Sequence, residues 1–238
     1  MNRENSKKAK VAEFIIEEEM KNINLQNELL KPLPQETDFI SMMQKFKDIL
    51  NNKDSDWTLQ ISVINYLRRI FKFERQVFSQ YFYGAKLYQK IIELINSVRS
   101  SLAKNVLTLL NEIFSEKMPS KEDKTTTISL IALIKVTIPH LISKINSNQS
   151  FIKNDSNICL QSLISNMKYF EVLLSFLQLM NTKKSKDAEL CENLSIKMIK
   201  SLGKQFFIEN TQFGELMKNV VSFYEAQKTA NLKIVKIF

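Results

Sequence analysis

The chain has 238 residues, of which 44% are hydrophobic and 25% charged, so one or two domains with a real core are within reach. Three glycines and four prolines are far too few for a fold of strands and tight hairpins, and no Asn-Gly or Asp-Gly dipeptide occurs. Long helices joined by short polar turns remain. The net charge of +9 points to an acidic partner.

Residues 1–36 read as an N-terminal arm, partly helical. Met1 to Lys10 is polar and basic, and Val11, Phe14, Ile15, Met20 and Ile23 then recur at roughly helical spacing. Pro32 and Pro34 stop the segment, because each disfavours helix in the residue before it. The regular pattern begins at Asp38, so residues 37–238 are expected to form the domain proper. Phe39, Met42, Met43, Phe46, Ile49 and Leu50 make one apolar stripe. After the polar run 51–56, Trp57, Ile61, Ile64, Leu67, Ile70 and Phe71 make a second. Asp54, Ser55 and Asp56 supply capping side chains for this second helix.

The same unit returns along the chain. Leu87 to Ile95 forms a first helix, Asn96-Ser97 a turn, and Val98 to Ile113 a second helix. A third pair covers Ile128–Ile145 and Phe151–Ile164, with the break at 146–150. A fourth covers Phe170–Leu179 and Leu190–Leu202, with the break at 181–187. A fifth begins at Phe213, breaks near 227–231 and ends with Leu232 to Phe238. A period of roughly 40 residues is that of two-helix HEAT-type repeats. One such pair cannot bury its own apolar face, so the expected fold is an all-α, armadillo-type solenoid of about five stacked helix pairs.

Little in the chain suggests covalent chemistry. His140 is the only histidine, so neither a catalytic imidazole with an orienting partner nor a zinc site assembles readily around it. Cys159 and Cys191 are the only cysteines; both fall on apolar helix faces and read as core. No glycine-rich loop exists to cradle a phosphate. The expectation is a protein that is not an enzyme and carries no cofactor or metal. The N-terminus lacks the apolar run of a signal peptide, and no stretch reaches about 18 uncharged apolar residues. A cytoplasmic protein without a membrane partner fits these features.

The turns inside the repeats are the informative constellation. In stacked pairs these turns project along one edge. They hold Lys53 and Trp57, then Arg99, then Lys153, then Lys183, Lys184 and Lys186, with Lys228 and Lys233 in the last unit. Each exposed charge contributes little alone, roughly 0–1 kcal/mol, so such an edge would act through several together. Trp57, the only tryptophan, opens a helix directly after a polar turn, a place where tryptophan often anchors an interface. The positive charge is mostly lysine, with five arginines in all. That balance argues against a nucleic-acid reader, which favours the forked guanidinium.

The order and spacing of these features resemble a TOG domain of the CLASP and crescerin type. The resemblance rests on Asp56-Trp57 opening the second helix, on the run ending Tyr66-Leu67-Arg68-Arg69-Ile70, and on Asn96-Ser97-Val98-Arg99-Ser100-Ser101-Leu102. Ile138-Pro139 and Phe151-Ile152-Lys153 resemble the third repeat of that family. It implies a flat paddle of HEAT repeats whose intra-repeat turns bind tubulin without catalysis. Trp57 would then be the apolar anchor, Arg99 and Lys153 would meet acidic side chains, and Lys183, Lys184 and Lys186 would act in the fourth turn. The implied partners are tubulin or the microtubule lattice, with other cytoskeletal or axonemal proteins, and the implied location is the cytoskeleton, including the cilium or axoneme. The alternative is a generic armadillo-type scaffold that holds another protein through its N-terminal arm or C-terminal end.

Overall fold

The computed structural model describes residues 25–52, 55–116, 124–182, 185–208 and 213–226. The arm helix read over 11–23, the last helix read over 232–238, and Lys53, Lys183, Lys184, Lys228 and Lys233 lie outside them. The fold is all-α and built from HEAT-like helix pairs. Among the described residues there are eleven α-helices and no strand. The chain divides into two compact units, Met1–Ile113 and Phe114–Phe238.

In the first unit, α1 (Phe39–Asn51) is opened by Asp38, whose carboxylate accepts from Ile40 N and Ser41 N, each at 3.2 Å. Its stripe buries Met42, Met43 and Phe46. The next helix, α2 (Trp57–Phe73), is opened by Asp56, which accepts from Thr58 N at 3.0 Å. It buries Ile61, Ile64, Leu67 and Ile70 to within 1% of full burial. These side chains pack α2 against α1 as the first hairpin. The second pair is α4 (Tyr88–Glu93, extended by a 3-10 turn over Leu94–Asn96) and α5 (Ser100–Ser115). The first helices of the two pairs, α1 and α4, also pack together.

A short α3 (Arg75–Phe78) runs into a π-helical stretch, Ser79–Gly84, between the two pairs. Helical periodicity alone does not announce it. Its wider turn lets Phe82 and Tyr83, consecutive residues, both point inward. There they meet Phe78 at 4.4 and 5.5 Å between ring centres, and Phe78 meets Phe71 at 4.9 Å. The connection is thus a folded aromatic plug.

The second unit holds α6 (Lys124–Ile145), α7 (Ser150–Asn166), α8 (Phe170–Thr182), α9 (Ser185–Leu202), α10 (Lys204–Ile208) and α11 (Phe213–Ala226). Two rows result. The first helices α6, α8 and α11 pack side by side, and the second helices α7 and α9 pack beside one another. Helix α6 is long and apolar enough to cross a membrane by length and composition. Here Leu130, Leu133, Ile134, Ile138, Leu141 and Ile142 are buried, with α7, α8 and α9 packed against it. Burial accounts for that stripe only, because Ile128 and Val136 on the same helix are exposed. The break expected over 181–187 is narrower than the polar run suggested, because α8 reaches Thr182 and α9 starts at Ser185. The small α10 fills the link before α11 with Phe206 and Phe207.

Candidate partner-binding edge

The edge is built by helix starts. Asp56 ends the non-helical stretch and caps α2, which fixes Trp57 as the first residue of that helix. In the second pair, Ser97 Oγ accepts from Arg99 N at 3.1 Å, and the Arg99 carbonyl accepts from Leu102 N and Ala103 N. Arg99 therefore stands where α5 begins, with its side chain exposed. Trp57 is half-buried. The Arg99 guanidinium carbon lies over the Trp57 ring at 5.9 Å from its centre, near the outer limit of cation–π attraction. Such a contact at an exposed site contributes about 0.5–1 kcal/mol. Its larger effect is geometric: it joins the intra-repeat turns of the first two pairs into one exposed surface of ring and charge.

The second unit repeats the arrangement with other chemistry. Ser147 Oγ accepts from Gln149 N at 3.2 Å, and the Gln149 carbonyl accepts from Lys153 N. The turn Asn96-Ser97-Val98-Arg99-Ser100 thus returns as Asn146-Ser147-Asn148-Gln149-Ser150, with the same serine-to-backbone bond. Gln149 occupies the place of Arg99, and Lys153 lies one turn into α7, exposed. Asn146 Nδ2 donates to Asp187 Oδ1 at 2.5 Å, so this turn abuts the first turn of α9. Lys186, exposed, is the residue before that aspartate.

Of the residues singled out from sequence, Trp57 and Arg99 are brought together in the first unit. Lys153 and Lys186 stand on neighbouring turns in the second. His140 is half-buried in α6, and Cys159 and Cys191 are buried and not joined in a disulfide. Burial, aided by the charge of Asp155, pushes the Cys159 thiol up to about 12.

Sequence reasoning passed over one pair. Arg68 is 1% exposed, and its Nε and Nη2 donate to the Glu112 carboxylate at 2.6–3.0 Å. A signal was present: Arg68 lies on the stripe of Ile61, Ile64 and Phe71 at helical spacing, so a charge falls on the core side of α2. The partner could not be read, because Glu112 is 44 residues away.

The family described as CLASP N terminal matches residues 36–222. No curated protein matches the chain. The matched region takes in every described helix of the domain except the last few residues of α11, and the chain belongs to the CLASP N-terminal family, a family of microtubule-associated HEAT-repeat proteins.

Proposed function

We propose that this chain binds tubulin, free or in the microtubule lattice, through its intra-repeat turns and without catalysis. The observation that carries the reading is the Arg99–Trp57 contact. A half-buried ring held under an exposed guanidinium offers an apolar anchor and a charge at one point, the composition of an interface hot spot. Lys153 and Lys186, exposed on adjacent turns of the second unit, offer positive charge of the kind an acidic surface would meet. Lys53, Lys183 and Lys184 belong to the same turns by sequence. In this reading residues 37–238 carry the binding, residues 1–36 serve as an accessory arm, and the protein works as a microtubule regulator or a structural component of the cytoskeleton, including the axoneme.

Co-sedimentation with microtubules tests it, using Trp57→Ala and Arg99→Glu beside the unaltered chain. Each substitution is expected to weaken binding by about tenfold or more, as loss of a hot-spot residue does. Unchanged binding in both variants would remove this edge from consideration.

A further inference from the structure

Helices α2 and α5 are joined at two places. Trp57 and Arg99 meet at their starts. Arg68 and Glu112 meet farther along, roughly 16 Å down α2 and roughly 20 Å down α5 at 1.5 Å per residue. Two contacts in the same order along both helices mean that α2 and α5 run side by side in the same direction. The second contact is the stronger: a buried guanidinium on a carboxylate through two nitrogens has geometry that a single lysine could not supply.

The third nitrogen, Nη1, donates to the carbonyl of Leu25 at 2.7 Å. That begins a row. Lys72 Nζ donates to the Asn27 carbonyl at 2.6 Å, and Arg69 donates to the carbonyls of Lys31 and Pro32 at 2.8 and 3.2 Å. Residues 25–33 are thereby strapped along the end of α2 by their backbone. Leu30 and Leu33 are buried, at 4% and 8% exposure.

We infer that the Arg68–Glu112 bridge, with residues 25–33 fastened to it, is a positioning clamp that sets the Trp57–Arg99 contact from the far end of α2 and α5. Helices are stiff, so fixing their separation at one end fixes the approach of side chains at the other. A buried arginine left without its carboxylate draws in water or moves its helix. A polar cleft of about 430 Å³, lined by Leu25, Asn27, Lys104, Thr108 and Glu112 among others, opens onto the bridge and gives water that route. Loosening the clamp then lets α5 shift against α2 with the unit still folded. For its meaning the clamp rests on Trp57 and Arg99 being the binding pair; its geometry does not.

Trp57 is the only tryptophan, so fluorescence of the full chain excited at wavelengths beyond tyrosine absorption reports on that ring alone. Acrylamide quenching of Glu112→Gln, read well below the unfolding transition, is expected to rise, toward about twofold as the half-buried ring gains exposure, because a shift at the bridge is carried through packed helices. Arg99→Ala should raise quenching too, and adding Glu112→Gln to it should add nothing further. Lost stability alone does not change the quenching of a folded ring. If Glu112→Gln does not fold, Leu30→Ala decides, since it frees the strap with both charges in place. A folded variant whose Trp57 is quenched as in the unaltered chain would overturn the clamp. No microtubule enters the measurement, so its failure is separate from failure of the binding edge.

Discussion

Asn146 and Asp187 stand 41 residues apart in sequence and share a hydrogen bond of 2.5 Å at the surface of the second unit. It ties one intra-repeat turn to the next. In the first unit a ring and a guanidinium do the same work. Repeat stacking sets turns side by side, and each repeat then joins them with whatever side chains it has.

Replacing Asn146 by Ala should therefore lower stability modestly. The bond is exposed but charge-assisted, so a loss of about 1 kcal/mol is expected in urea denaturation followed by circular dichroism. Lys186, beside the orphaned Asp187, would lose a fixed neighbour, and the part proposed for it in tubulin binding should weaken with it.

The Arg68–Glu112 bridge should respond unevenly to single and double change. Glu112→Ala leaves a buried cation unpaired and should cost about 3 kcal/mol or more. The combination Arg68→Met with Glu112→Leu removes both charges and should recover most of that loss. Chemical denaturation of the three proteins gives the comparison; a double variant as unstable as the single would show that the bridge stabilises by more than avoiding an unpaired charge.

Cys159 should be inert in the folded chain. Its thiol is pushed up from 9.0 to about 12, first by burial and then by Asp155. The raised value means that the folded state keeps its proton where the unfolded state has lost it. This contribution is fully present below pH 9 and declines as pH rises from about 9 toward 12. Thiol labelling at pH 8 should track unfolding rather than thiol exposure, and the melting temperature should fall over that alkaline window.

Two backbone positions predict opposite signs. Gly203, just past α9, has φ +77°, and apart from its own chain neighbours no atom lies within 4 Å of the place a Cβ would take, so Gly203→Ala should cost about 1 kcal/mol by backbone strain alone. Lys86 holds φ 55° after the π-helical stretch. Lys86→Gly relieves that strain and should be neutral or stabilising by up to about 1 kcal/mol, read from thermal melts.

Much of this was legible in the amino-acid sequence. Apolar spacing in α1, α2, α5 and α8 announces helices, because a helix that stacks must carry its core residues every three to four positions. The recurrence of such pairs implies repeats, and Asp56 marks a helix start by side-chain chemistry that is local in sequence. The place of Trp57 at the start of α2 follows from that signal, whereas the second helix of the next pair reads from Val98, and the Ser97 bond that sets Arg99 at the start of α5 is a feature of the structure. Local rules end there. The π-helical stretch exists because Phe71, Phe78, Phe82 and Tyr83 pack together, and that packing is tertiary. The turn of Arg99 toward Trp57, the burial of Arg68 against Glu112, and the strapping of residues 25–33 to α2 all join groups tens of residues apart. Periodicity tells which face of a helix is inward; only the packed fold decides which residue of another helix it finds there.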